Sequence, residues 1–226
     1  MPAPEVLAGA LGKEEYKEMH KAISRDCITL VKYKDRDVLP ITPERYKRIM
    51  IVHVKGAESG MGMLMKAMGM GGGKNPAEML KERLCEKGFD AFIYESPLDA
   101  MKKQIAAGEK PNINLYFAGK NAIDDFVSGM DLVITLCDVS SGRPSFGLSK
   151  GGGEIPWYVF ELPVVVIGCG QPTMLADVPQ ARTYINTYDA KPATFDALVD
   201  DLMAGPDAFK GRDPIDSFCG LFDARL

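Results

Sequence analysis

Four consecutive β-branched residues, Val164 to Ile167, stand between Pro163 and the turn Gly168-Cys169-Gly170 with no polar position among them. A run that does not alternate predicts a parallel strand buried on both faces. Arg48 to Val54 predicts the first central strand, and Asp131 to Cys137 is the clearest strand after it. Phe89 to Tyr94 reads as a further strand, Asn114 to Ala118 as a short one and Ala181 to Tyr188 as a late one, while Cys27 to Val31 is a short apolar extended stretch.

Helical spacing fills the intervals. Tyr16, Met19 and Ile23 fall on one face of a charged segment from Lys13 to Arg25. Met79, Leu80 and Leu84 form the apolar face of a helix from Ala77 to Lys87, with Asn75 placed to cap it, Pro76 suited to its first turn and Gly88 to its close. Pro97 to Ala107 predicts a helix with Leu98, Met101 and Ile105 facing inward, Ile123 to Ser128 a short helix and Ala193 to Met203 the last one. The stretch from Gly56 to Gly73 is rich in Gly and Met, has weak periodicity and is expected to be a mobile loop holding one helical turn. Strands alternating with helices imply an α/β fold, a three-layer α/β/α sandwich with a mostly parallel sheet of about six strands. With no internal repeat and no low-complexity linker, one domain over residues 1–226 is expected, its first 45 residues forming a helix and an extended lead-in.

Composition narrows the function classes. A chain of 226 residues with 46% hydrophobic content can bury one sizeable α/β core. A formal net charge of -4 gives no basic footprint for nucleic acid. No apolar run reaches the length of a membrane span, and Met1-Pro-Ala-Pro-Glu-Val is polar and proline-broken, without the basic and apolar pattern expected of a signal peptide. The five cysteines are odd in number, widely spaced and never C-x-x-C, which argues against a disulfide framework or a zinc site and is compatible with a soluble, reduced, cytoplasmic setting. Cys137 and Cys169 lie in or beside apolar runs and read as small buried hydrophobes.

Motifs for nucleotide or hydrolase chemistry fail on detail. Gly60-Met-Gly62 and Gly168-Cys-Gly170 both lack the third glycine of a dinucleotide fingerprint, Met65 and Thr173 standing in its place. Gly73-Lys74 resembles the end of a phosphate-binding loop, but Met68 replaces its first glycine and Asn75 the magnesium-binding hydroxyl. Ser145 has Gly147 after it but Arg143 before it, so no nucleophile elbow forms. No cofactor or metal is implied. Asp177 fits a capping carboxylate, and Arg25 and Asp26 an ion pair or a brace at a domain junction.

A resemblance runs through the informative segments. Ala22-Ile-Ser-Arg-Asp-Cys-Ile-Thr-Leu-Val-Lys32, Val38-Leu-Pro40, Glu154-Ile-Pro-Trp157, Pro163-Val-Val, Gln171-Pro-Thr, Asp177-Val-Pro179, Thr183-Tyr-Ile-Asn-Thr-Tyr188 and Phe209-Lys-Gly-Arg-Asp-Pro-Ile-Asp216 occur in the family's order. The chain resembles the carboxy-terminal α/β domain of family 3 glycoside hydrolases, most like two-domain β-N-acetylhexosaminidases; between about Glu58 and Lys120 only the alternation of elements matches. The resemblance implies an amino-terminal (β/α)8 barrel that carries the Asp nucleophile and, on a loop with a KHFPGHG type motif, the proton-transferring His and Asp. His20 and His53, the two histidines here, sit in no such motif. A barrel of about 250 residues does not fit beside this domain in the chain. The expectation is therefore half of a retaining enzyme acting on terminal β-linked N-acetylglucosamine, inactive alone, that supports the barrel and walls its pocket.

Three residues in the loop region after Cys137 are candidate sugar contacts. Arg143 offers planar donors to paired hydroxyl oxygens or braces a turn, Trp157 stacks on a sugar ring or fills a core, and Glu154 is at the place from which some members recruit an acid/base. The hexosaminidase-like signatures place the acid/base elsewhere, so no catalytic residue is assigned. Expected partners are the barrel and a carbohydrate, with self-association of an exposed apolar surface. A different class, a stand-alone flavodoxin-like module holding a sugar or nucleotide at the Gly168 turn, is the alternative.

Overall fold

A computed structural model describes residues 13–55, 75–95, 103–110, 129–139 and 162–215. Among them run helix α1 (Glu14–Cys27), strands β1 (Thr29–Tyr33) and β2 (Arg48–Lys55), helix α2 (Pro76–Glu86), strands β3 (Asp90–Ile93), β4 (Leu132–Val139), β5 (Val164–Gly170) and β6 (Thr183–Asn186), and helix α3 (Pro192–Ala204). Short 3-10 turns cover Pro172–Asp177 and Pro206–Ala208. The six strands form one sheet in the order β1-β6-β5-β4-β2-β3, with every pair parallel except β1 with β6. The expected mostly parallel α/β sheet is what forms. β1, however, runs against its neighbour and begins two residues later than expected, because α1 continues through Cys27.

Alternation sorts the strands into two faces. Ile49 and Ile51, Leu132, Ile134 and Leu136, Val165 and Ile167, and Ile185 join the apolar faces of α2 and α3 in the main core. Met50 and Val52, Val133 and Cys137, Val166 and Tyr184 point the other way, where Met174 and Leu175 of the first 3-10 turn contribute cover. Because the central strands are buried on both faces, their sequences read as unbroken apolar runs.

Both helices on the main core begin as their sequences direct. Asn75 accepts a hydrogen bond from the Ala77 amide at 3.1 Å and Pro76 opens α2, while Pro192 opens α3. Phe195, Leu198 and Leu202 of α3 are fully buried, each burial contributing about 1.5–3 kcal/mol. Arg83 pairs with Asp196 and Lys87 with Asp200 at 2.7 Å, tying α2 to α3. Residues 103–106 are helical, within the predicted Pro97–Ala107 helix, but Ile105 does not face inward: it is 58% exposed. The Asn114–Ala118 and Ile123–Ser128 elements and the Gly56–Gly73 loop lie outside the described residues.

Candidate functional site at the carboxyl ends of the strands

Chain order fixes where the sheet opens. From β2 the chain moves outward to β3 on one side, then returns to β4, β5 and β6 on the other. Open parallel sheets bind ligands outside the carboxyl ends of the strands, where the winding reverses; here that point lies between β2 and β4.

The side chains at that point are His53 and Asp138. His53 Nε2 stands 3.8 Å from Asp138 Oδ2, with the imidazole only 6% exposed and the carboxylate 33%. At that separation the two make no direct hydrogen bond, and His53 Nε2 is a buried nitrogen without a partner. A hydroxyl seated between them would satisfy both, accepting from the imidazole N–H and donating to the carboxylate. The pair stands on rigid, adjacent strands, since Val54 of β2 is in register with Cys137 of β4. From sequence, His53 stands out only as lying in no catalytic motif, and Asp138 carries no assigned role. Nothing local marks a lone histidine in an apolar strand, and its partner is supplied by strand pairing alone.

Next to this pair the rim is closed by β5 and the start of α3. The Thr187 hydroxyl donates to the Asp189 carbonyl at 2.8 Å and contacts Cys169 Sγ at 3.4 Å. Asp189 accepts from the Thr194 hydroxyl and from the Lys191 amide at 3.3 Å. Burial works to raise the Asp189 pKa, but these hydrogen bonds and the Lys191 charge outweigh it and hold the carboxyl below its ordinary value. Burial pushes the Cys169 thiol up to about 12, the Thr187 contact opposing and the Asp138 and Asp189 charges adding to the rise. Cys137 is raised likewise by burial, then by Cys169. Neither thiol is a nucleophile at neutral pH, in agreement with the buried-hydrophobe reading.

On the opposite face, the space above Gly168 itself is taken. A Cβ at Gly168 would stand 2.2 Å from the Tyr184 hydroxyl and 2.8 Å from Asn186 Oδ1. Gly168 thus lies within β5 with no space for a side chain, and glycine is there because Tyr184 and Asn186 of β6 occupy the place of a Cβ. Of the other residues singled out, Arg25 pairs with Asp201 of α3 at 3.3 Å, and Asp177 ends the first 3-10 turn. Arg143, Glu154 and Trp157 lie outside the described residues. Among the described residues no cluster of three or more His, Cys, Asp or Glu side chains could hold a metal ion, and no helix is long and apolar enough to cross a membrane.

Comparison with known proteins follows the same geometry. No family model matches the chain. A curated relative, "Beta-N-acetylglucosaminidase/beta-glucosidase" of Cellulomonas fimi, is 29% identical over 223 residues, covering 97% of this chain and 35% of its own length. Among solved structures, "Beta-glucoside phosphorylase BglX" superposes with a TM-score of 0.66 at 27% identity, over 94% of this chain and 33% of that one. A glycoside hydrolase family 3 beta-N-acetylglucosaminidase from Paenibacillus sp. str. FPU-7 shares the fold, with a TM-score of 0.54 at 13% identity over 90% of this chain and 33% of that one. The chain therefore spans about a third of the length of the proteins it matches.

Proposed function

The chain is a carboxy-terminal α/β domain of the family 3 glycoside hydrolases, and from that premise we propose that it is the non-catalytic part of a β-N-acetylhexosaminidase-like enzyme, one domain over 1–226, that supports a (β/α)8 barrel and walls its sugar pocket. The match of 97% of this chain to 35% of a glycosidase carries the reading. Nearly every element here has a counterpart in the relative, while most of the relative has none here.

Chemistry agrees with the division of labour. Retaining hydrolysis needs two carboxyl groups about 5–5.5 Å apart across the scissile bond. The described rim offers two carboxylates, Asp138 beside a buried imidazole and Asp189, which already accepts hydrogen bonds from Thr194 and Lys191, and its thiols are held protonated. That set can bind and orient hydroxyls by hydrogen bonds, but supplies no nucleophile and acid pair. His53 and Asp138 are accordingly the groups with which this domain meets the sugar, together with Arg143, Glu154 and Trp157, the contacts expected from sequence.

One observation favours a second reading of the reaction. The solved structure with a TM-score of 0.66 is titled a phosphorylase. In such an enzyme phosphate takes the place of water as the acceptor of the glycosyl group. Both readings are tested with one set of assays, on the purified chain and on a parent polypeptide carrying the barrel ahead of it. Aryl N-acetyl-β-glucosaminide and aryl β-glucoside are offered with and without inorganic phosphate. The parent is expected to turn over the N-acetylglucosaminide and the chain alone neither substrate. Turnover by the isolated chain, or a coding sequence with no barrel ahead of this domain, refutes the proposal; sugar 1-phosphate as the main product selects phosphorolysis.

A further inference from the structure

Helix α1 is set on the domain with its polar side inward. An amphipathic surface helix ordinarily turns its apolar stripe to the core. Here Ser24 is the buried residue, His20 Nδ1 lies 3.5 Å from its hydroxyl, Lys191 Nζ approaches His20 Nε2 at 3.4 Å and Arg25 reaches Asp201 at 3.3 Å. The apolar stripe Tyr16, Met19 and Ile23 is left 48%, 53% and 56% exposed. Only Ile105 joins these three as an exposed large hydrophobic side chain among the described residues.

We propose that the Tyr16-Met19-Ile23 stripe is the seat of the amino-terminal barrel domain, so that α1 is clamped between the two halves of the parent enzyme. The proposal rests on the reading of this chain as part of that parent and names the surface through which the parts meet. Three observations choose the occupant. The match occupies 35% of the glycosidase relative and lies in its carboxy-terminal part, so the unmatched mass precedes it. α1 leads directly into β1, the first strand in the chain and an edge of the sheet. The stripe is also too small for a stable dimer of this chain: from Tyr16 to Ile23 it extends only about 10 Å, whereas a specific interface buries about 800 Å² per partner. A covalently joined domain meets no such requirement, because linkage supplies an effective concentration of about millimolar. The ion pairs Glu14–Lys17 and Glu18–Lys21 lie about 100° or more around the helix from the stripe, so neither crosses it and the seat stays apolar.

The test uses Met19→Glu with Ile23→Glu, in the 226-residue chain and in the barrel-bearing parent. In the chain alone the pair of changes is expected to leave the melting temperature within about 2 °C, since Met19 and Ile23 are both more than half exposed there. In the parent it is expected to split one melting transition into two and to speed proteolysis between the domains at least about ten-fold. A large loss of stability in the isolated chain shows that the stripe is already covered from within and overturns the proposal. So does a variant parent that keeps one transition and wild-type protease resistance, which leaves the domain assignment standing but places the contact elsewhere. Concentration-dependent dimerisation of the wild-type chain, lost in the variant while the parent is unaffected, assigns the stripe to a second copy and also overturns it.

Discussion

Gly168→Ala tests whether β5 and β6 pack as closely as described. The added methyl would stand 2.2 Å from the Tyr184 hydroxyl, 2.8 Å from Asn186 Oδ1 and 3.1 Å from Tyr184 Cζ, all within van der Waals radii. The strand cannot withdraw, because Gly168 is in register with Cys137 of β4 and Asn186 of β6, and its carbonyl accepts from the Thr187 amide at 2.9 Å. The ring cannot swing freely either, since Tyr184 is fully buried. Overpacking costs about 1–3 kcal/mol, and replacing Gly by Ala returns about 0.4–1 kcal/mol by restricting the unfolded chain. The net loss is about 1–2 kcal/mol, or about 2–8 °C in melting temperature for a domain of this size. Calorimetry or a urea melt followed by circular dichroism measures it. Tyr184→Phe removes the nearest atom, a buried hydroxyl without a partner, and is expected to be near neutral alone. In the Gly168→Ala background it should restore about half of the loss, Cζ remaining tight. A Gly168→Ala protein that melts with the wild type, or a double variant no more stable than Gly168→Ala, refutes the packing argument.

Gly211→Ala should be costlier, by about 2–4 kcal/mol, because the new methyl would stand 2.4 Å and 2.6 Å from the Cys27 and Ile28 carbonyl oxygens, which belong to backbone and cannot rotate away; a melt reads it, and no side-chain change nearby should rescue it. Asp201 is 1% exposed and burial raises its pKa, the Arg25 charge only partly opposing. A raised acid binds protons more readily folded than unfolded, so its charge costs stability as pH rises through the folded value. Asp201→Asn should therefore melt about 2–4 °C above the wild type at pH 7, the gap closing as pH falls toward the ordinary carboxylate range; a gap that widens in acid reverses the sign and the argument. In native protein at pH 8, iodoacetamide should label Cys27 and Cys85 and spare Cys137 and Cys169, as peptide mass spectrometry will show.

Much of the fold was legible because the physics of a doubly covered sheet is written along the chain. Val164 to Ile167 admits no polar residue, and that alone identifies β5. Asn75, Pro76 and the Met79-Leu80-Leu84 face mark α2 because capping and burial both act within a few residues. Ile105 was misread, since helical spacing shows which residues share a face but not whether anything covers it. The α1 stripe was correctly seen as a face, yet its outward setting follows from Asp201, Lys191 and β1, which are distant in sequence. The candidate site was less legible. Its location was anticipated at carboxyl strand ends, but the side-chain space at Gly168 is taken by Tyr184 and Asn186, while His53 and Asp138 were assigned no role in a site.

By itself the sequence determined the alternation of strands and helices, the inert character of the buried cysteines and the likeness to one domain of a larger glycosidase, all of which depend on residue type and short-range spacing. Only the tertiary structure decided the direction of β1, the reversal of winding between β2 and β4, the meeting of an imidazole with a carboxylate there and the outward face of α1. These depend on which strands pair and in what register, and pairing is settled by the packing of the whole sheet rather than by any segment of it.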